Sequence, residues 1–543
     1  MAGKLFRYNF LYIFSFFFFF ATLYHHFLQN DYSVVFSDQF YPTTITSSIA
    51  NLVLRGNFPS SSFTIPSLSI LMPDWEIYVI VDYSPLKPHP QDSNFYCIFD
   101  TGEETPAVSA AELPFPARWV FKCNFPTRAR RSLPFKQPML RGSSVNGYYR
   151  NSPSPELFRW TFLVYDSLTT ESDVVLFVKG LNKRRGINRK PTEFNCIFGD
   201  AVRTAVTSSI QEVFRCKLPD HFAGKEPIKV SIEIVGPTPA VVPTVAYYTP
   251  PRIISSSKKA KLCACTMVYN VAKFLREWIL YHSRIGVEKF ILYDNGSDDD
   301  LAAIVNELIE EGYDVKTHFW LWPKTQEGGF SHSVIFAKDL CSWMMYIDVD
   351  EFVYSPSWSN LTQPSKSLLP SILPNLEDEK NVAQISIPCY EFGPSNQKEH
   401  PTTGLIQGYN CRRKTENRHK SIVLLSAVDQ SLLNVIHHFK LKTEYNVKKL
   451  NVLEMVVNHY KFQVWSEFKA KFRRRVSTYV VDWTKPSNLG SNDRTPGLGY
   501  NPVEPIGWKS KFCEIYDNGL KDLTWRWFTI ESLTPSEYYN RSD

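Results

Sequence analysis

"LCACTMVYNVAKFLREWILYHSRIGVEKFILYDN", Leu262 to Asn295, decides the fold. "LCACTMVYN" is a short apolar run of strand length, whereas "VAKFLREWILYHSRIG" spaces its apolar residues three and four apart, the period of a helix. "VEKFILYDN" is a strand again. Further along, "DDLAAIVNELIEEG" reads as a helix closed by Gly312, "YDVKTHFW" as a strand, "SHSVIFAKDLCS" as a helix and "WMMYIDVD" as another strand. Such alternation predicts a largely parallel sheet covered by helices.

Ligands of open α/β sheets bind outside the carboxyl ends of the strands. Two acidic clusters fall there: "YDNGSDDD" (Tyr293–Asp300) and "DVDEF" (Asp348–Phe352). A strand that needs apolar flanks has no structural use for paired carboxylates at its tip. Asp348 and Asp350, two apart on a strand end, share a side and can face one hard cation. Mn²⁺ or Mg²⁺ prefers carboxylate oxygen and commonly binds a diphosphate at the same time. A bare D-x-D arises often by chance, so its position in the fold gives it its weight.

The rest of the chain sets the context. Its 543 residues, 43% hydrophobic, are enough for two or three domains with real cores. A net charge of +6 is mild at this length and does not indicate a nucleic-acid partner. Lys4 and Arg7 precede an uncharged run from Tyr8 to Leu28, long enough to span a bilayer, and Asp31 follows it. We therefore expect a cytosolic tail (1–7), a type II signal-anchor helix (8–28) and a lumenal remainder; a cleaved signal peptide is the alternative, but no small-x-small cleavage site follows the Phe run. A short, Phe-rich span fits a thin secretory membrane such as that of the Golgi. Ten cysteines suit a lumen, where disulfides persist. Sequons stand at Asn295, Asn360 and Asn540, and a glycan on Asn295 would obstruct the first acidic cluster.

Residues 29–72 are Ser/Thr/Pro-rich and read as a stem. Residues 73–240 carry an internal repeat: Asp74 and Asp173 each stand 23 residues before the cysteine of a C-I-F triplet. Each copy closes on a second cysteine, in "WVFKCNFP" and "EVFRCKLP". Alternating apolar residues predict strands, hence an all-β, sandwich-like region of two related halves. Cys97–Cys123 and Cys196–Cys216 are the simplest disulfides, although spacing does not fix connectivity. Residues 241–258 read as a linker and 259–530 as the α/β domain.

Several motifs, in order, carry a resemblance. "CTMVYNVAKFLREWILYHSRIGVEKFILYDNGSDD", "YIDVDEF", "RHKSIV", "NVIHHFKLK" and "VVNHYKFQVWSEFKAKFRRRVSTYVVDW" resemble glycosyltransferase family 92, the plant DUF23-type proteins. So does the tail "SNDRTPGLGYNPVEPIGWKSKFCEIYDNGLKD"; the likeness covers about residues 73–525. Within the family, "EFNCIFG…AVTSSIQEVFRC" looks most like the plant β-1,4-galactan synthases.

The resemblance implies a GT-A (Rossmann-like) catalytic domain and an inverting, metal-dependent transfer from UDP-galactose. The acceptor would be β-1,4-galactan, the side chain of pectic rhamnogalacturonan I, with the β-region as a carbohydrate-binding module. Asp348, Asp350 and His459 would hold Mn²⁺ (or Mg²⁺), with His437 and His438 competing for the histidine role. Asp294, Glu277, His282, Lys420 and Arg474 would contact the donor. Trp278 reads as core, and a solvated basic face competes with donor binding for Arg473–Arg475. No motif names the general base of an inverting transfer; Glu391, Asp493 and Glu351 are the candidates. A homodimer is compatible with this picture. The alternatives are a family 92 enzyme using another UDP-sugar and a glycan-binding protein without catalysis. A glycoside hydrolase fits less well, since its two carboxylates flank a sugar rather than share a cation.

Overall fold

The computed structural model describes residues 67–82, 94–142, 154–182, 187–200, 202–219, 227–249, 258–374, 381–477 and 503–531. The expected tail, the span 8–28 and most of the stem lie outside them. Among the described residues no helix is long and apolar enough to cross a membrane.

The α/β region is built on one sheet. Its strands are β1 (Ala260–Val268), β2 (Lys289–Asp294), β3 (Val315–Phe319), β4 (Cys341–Tyr346), β5 (Glu351–Tyr354), β6 (Val382–Glu391), β7 (His419–Leu424), β8 (Asn446–Lys449) and β9 (Val456–His459). They run in the order β3-β2-β1-β4-β7-β6-β9-β5, with β8 also on β6. β3, β2, β1 and β4 are mutually parallel, as the alternation predicts. β7 turns antiparallel against both β4 and β6. The helices are α1 (Ala272–Arg284), α2 (Leu301–Glu310), α3 (Gln326–Ala337), the short α4 (Gly404–Gly408), α5 (Trp465–Ser477) and α6 (Gly519–Glu531).

Alternate residues of β1 serve the two faces. Leu262, Ala264 and Val268 join the core under α1 and α2, with Phe274, Trp278 and Val305. Cys263 and Cys265 point the other way, into a core shared with α3 and with the β-region. Cys263 is disulfide-bonded to Cys341 of β4, and Cys411 to Cys513; the free Cys265 and Cys389 are buried.

The β-region repeats in three dimensions. In the first half, strands Met139–Gly142, Phe95–Ile98, Glu104–Pro114, Ala117–Asn124, Glu76–Asp82 and Ser67–Leu71 are hydrogen-bonded in that order. In the second, Val230–Ile234, Phe194–Phe198, Val202–Ile210, Val213–Lys217, Asp173–Lys179 and Leu163–Thr169 follow the same order. Both proposed disulfides are present, Cys97–Cys123 and Cys196–Cys216.

The repeat alignment needs one correction. Cys123 lies opposite Ile77 and Cys216 opposite Val174, so Asp173 corresponds to Glu76 and not to Asp74. A slip of two residues keeps every side chain on its own face of a strand, so hydrophobic patterning could not reveal it.

Two expected boundaries also move. Ser67–Leu71 is already a strand paired with Glu76–Asp82, so the sheet begins inside the expected stem. In the expected linker, Val242, Val245 and Ala246 are buried, and Thr244 and Tyr247 bridge to the second half.

The β-region is not a separate bead. Along Asp173–Lys179, Val174, Leu176 and Val178 fill the second half's own core, while Val175 and Phe177 pack with Tyr293, Trp320 and Phe330 of the α/β region. Both faces of these strands are covered, which explains why "IYVIV" and "VVLFV" run continuously apolar.

Candidate active site

The chain leaves β4 at Tyr346 and turns through Asp348–Asp350 before β5. The two aspartates thus sit in a turn beyond the strand, and strand alternation is not what orients them. Glu351 closes the turn: its N–H donates to Asp348 O (3.1 Å), and its Oε2 accepts from Asp348 N–H (2.9 Å). The glutamate of the motif is a staple for the two aspartates.

β5 is an edge strand, paired only with β9. Helix α1 covers its open edge with side chains one turn apart. Trp278 Nε1 donates to Glu351 O (3.1 Å), Tyr281 Oη donates to Val353 O (2.6 Å), and Val353 N–H donates to His282 Nε2 (3.4 Å). These bonds satisfy an edge that would otherwise stay open and fix the acidic turn against α1.

Around the turn the acids meet side-chain cations and imidazoles. Lys420 Nζ, on β7, lies 3.0 Å from Asp348 Oδ2, 2.7 Å from Glu351 Oε1 and 2.8 Å from His437 Nε2. Lys471 Nζ, on α5, lies 2.6 Å from Asp350 Oδ2. His459, at the end of β9, places Nε2 3.7 Å from Asp350 Oδ2 and Nδ1 3.3 Å from Glu351 Oε1. His437 Nε2 is 3.7 Å from Asp348 Oδ2. Each aspartate therefore has one lysine and one histidine beside it.

Burial and charge divide the roles. Burial disfavours charge on Asp348, yet Lys420 and His437 hold its carboxyl well below the usual range. Asp350 is likewise buried, and Lys471 and His459 keep it low. Burial pushes fully enclosed Glu351 up to about 8 against the pull of Lys420, with the two aspartate charges adding to the rise. Burial drives His459 down to about 4 and His437 to about 3, so both imidazoles are neutral near pH 7.

Among the described residues no three His, Cys, Asp or Glu side chains form a ready metal cage. The donor chemistry nevertheless fits a hard divalent cation: two ionised carboxylates and a neutral imidazole whose other nitrogen faces the Glu351 carboxyl. Positive charge is already demanded there, and two lysines supply it.

The other expected site residues fall elsewhere. Glu277 accepts from Leu405 N–H (2.7 Å) and Ile406 N–H (3.0 Å), capping α4 rather than joining the acidic turn. His282 is buried with both ring nitrogens on backbone groups, Trp278 O at 2.8 Å and Val353 N, which leaves neither for a nucleotide. Asp294 Oδ1 accepts from Ser297 N–H and Oγ (2.9 and 2.7 Å), tying the loop after β2. Glu391 lies opposite His459 across the β6–β9 pairing, with Lys461 (2.6 Å) and Arg413 (3.3 Å) on its two oxygens. Burial would raise its carboxyl, but Lys461 holds it low, a poor state for a base. Asp493 and the side chain of Arg474 lie outside the described residues. Lys471 went unnoticed because a pair 121 positions apart leaves no local pattern; the basic run "KAKFRRR" was its only trace.

The first acidic cluster is occupied differently. Asp299 Oδ2 accepts from Ala272 N–H (2.9 Å) at the start of α1, and Asp298 pairs with Lys122 of the β-region (3.0 Å). Asn295 Nδ2 donates to Trp320 O and to Trp322 O (3.0 Å), so a glycan there would cost at least one of the two bonds.

Ionised acids just beyond β4, at the carboxyl edge of the parallel strands, make this the candidate ligand site of an α/β protein. A family model described as glycosyltransferase family 92 matches residues 258–488. A glycosyltransferase family 92 protein of Arabidopsis thaliana is 37% identical over 513 residues, covering 88% of each chain. The chain belongs to glycosyltransferase family 92, and sugar transfer is its class of chemistry. A galactan beta-1,4-galactosyltransferase of Arabidopsis thaliana is 28% identical over 117 residues, 20% of this chain and 22% of that protein. Among solved structures, a Pyrobaculum calidifontis mannosyltransferase in complex with GDP-Man and Mn²⁺ aligns with 52% of this chain and 79% of its own. The TM-score of that alignment is 0.25 and the identity 10%.

Proposed function

We propose that the chain is an inverting galactosyltransferase of GT-A type that moves galactose from UDP-galactose onto β-1,4-galactan. The observation that carries the chemistry is the pair of ionised acids beyond β4, half-buried Asp348 and buried Asp350, beside neutral His459. The order β3-β2-β1-β4 with antiparallel β7 supports the GT-A reading. Galactose as the sugar rests on the short match to the galactan galactosyltransferase and on the resemblance of the β-region.

Asp348, Asp350 and His459 would hold Mn²⁺ or Mg²⁺. When bound, the cation neutralises the charge that grows on the departing diphosphate. The chain's own part is to keep those donors ready. Glu351 staples the turn and faces His459 Nδ1, so that Nε2 is left toward Asp350. Lys420 keeps Asp348 ionised despite burial. Of the three candidate bases, Glu391 has both oxygens on cations, Glu351 is sealed from solvent, and Asp493 lies outside the described residues.

Four disulfides support a lumenal, Golgi-type setting behind a type II anchor, and the β-region is proposed to hold the pectic polymer. The test is the full-length chain in detergent with Mn²⁺, a panel of UDP-sugars and β-1,4-galacto-oligosaccharides. Galactose addition that chelator abolishes supports the reading. Preference for another UDP-sugar moves the chain to a different donor, and activity untouched by chelator removes the metal.

A further inference from the structure

The two lysines at the acidic turn are not equivalent. Lys420 is 6% exposed and locked by three partners, Asp348, Glu351 and His437. Lys471 has a side chain 38% exposed, and among the described residues its acidic partner is Asp350 alone. Its ammonium also lies 5.6 Å from the ring of buried Phe274 on α1. Helix α5 itself is held down by Lys273–Glu467 (2.5 Å) and by buried Phe468. The helix can therefore stay in place while a four-carbon stem turns.

An ammonium 2.6 Å from Asp350 Oδ2 occupies the approach that a divalent ion would take to that oxygen. Two like charges cannot share it, because their repulsion in a partly desolvated site outweighs what either gains from a single carboxylate. Lys420 has nowhere to go, whereas Lys471 has open solvent.

We propose that Lys471 is the resident counter-ion of Asp350, displaced by the arriving cation and then free to pair with the diphosphate of the donor. The proposal rests on the cation reading above and adds an exchange of partners to it. Lys471 would keep the acidic turn neutral between turnovers and would make metal and nucleotide binding cooperative.

The exchange predicts opposite signs for two affinities. In the full chain, Lys471→Met should tighten Mn²⁺ binding without nucleotide by about 3–10-fold, measured by calorimetry or by Mn²⁺ paramagnetic resonance. The same variant, saturated with Mn²⁺, should bind UDP roughly tenfold more weakly. Lys471→Arg, which keeps the charge, should stay near wild type in both. A variant that merely loosened α5 would lose both affinities together, and that outcome overturns the proposal, as does unchanged Mn²⁺ binding. If the wild type takes up no Mn²⁺ and Asp350→Asn behaves identically, the cation reading itself has failed. Mn²⁺ binding that Asp350→Asn removes but Lys471→Met leaves alone sinks only the exchange.

Discussion

The molecule has two acidic loops, after the strands on either side of β1, and they do opposite things. In Tyr293–Asp300 the carboxylates bind the chain's own framework: Asp294 takes Ser297, Asp299 takes the first N–H of α1, and exposed Asp298 meets Lys122. In Asp348–Glu351 they face lysines and imidazoles, where burial raises the Glu351 carboxyl and lowers the His437 and His459 imidazoles while neighbouring cations hold Asp348 and Asp350 low. Tyr293–Asp300 holds four acids and Asp348–Glu351 three, so acid content does not make the second loop the reactive one. Burial and the kind of partner separate a structural loop from a reactive one.

The sharpest way to break this contrast is to neutralise one acid in each loop. Asp350→Ala should lower sugar transfer by at least about a hundredfold, since it removes a charge aimed at the leaving diphosphate. Its melting temperature should change little, because Lys471 is released into solvent. An Asp350→Ala enzyme with near-normal turnover would put the two loops on the same footing.

Next in size is the staple. Glu351→Gln keeps the shape but alters the partner of His459 Nδ1 and of Lys420. Groups that orient a metal ligand from behind typically cost about 10–100-fold when changed. We expect a loss of that size in Mn²⁺ affinity, read by titration, with the fold intact by circular dichroism. A loss in turnover with unaltered Mn²⁺ affinity would instead make Glu351 a participant in proton transfer.

These predictions also show what could be read in the sequence. The strand–helix alternation, the acidic turn and the repeat with its disulfides 26 and 20 residues apart are local patterns, and they were legible. The bridges Cys263–Cys341 and Cys411–Cys513 span 78 and 102 residues and were not, since no repeat unit encloses them. Glu277 and His282 face inward beside Trp278 and look like pocket residues, but they serve the backbones of α4 and β5. Only the fold reveals those partners, because a backbone N–H has no letter in a sequence.

Glu277 extends the comparison to an acid held by backbone alone, away from the turn. Burial pushes its carboxyl from 4.5 up to about 7, although Ile406 and Leu405 N–H groups favour the charged form. A folded value above the unfolded one means that the folded state binds more protons between those limits. The stabilisation is fully present below about pH 4.5 and is lost as pH rises through about 7. Glu277→Gln removes that titration. Chemical denaturation should show wild type falling relative to the variant from pH 4.5 to 7, by up to about 3 kcal/mol. Parallel pH profiles would mean that the Glu277 carboxyl is not desolvated.

The smallest effect belongs to Asp299, the structural counterpart of Asp350. Its carboxylate reaches from the loop after β2 to the N–H of Ala272, the first residue of α1, where the helix macrodipole favours negative charge. Val271, at the cap position, has no side chain able to take that hydrogen bond. Asp299→Ala should therefore cost about 1 kcal/mol, the usual worth of a capping side chain. Turnover should remain within about twofold of wild type, since α1 stays pinned to β5 through Trp278, Tyr281 and His282. Denaturant midpoints and initial rates measured on one preparation separate the two quantities. A large loss of activity with little loss of stability would place Asp299 in the donor site, and the division between the two acidic loops would no longer hold.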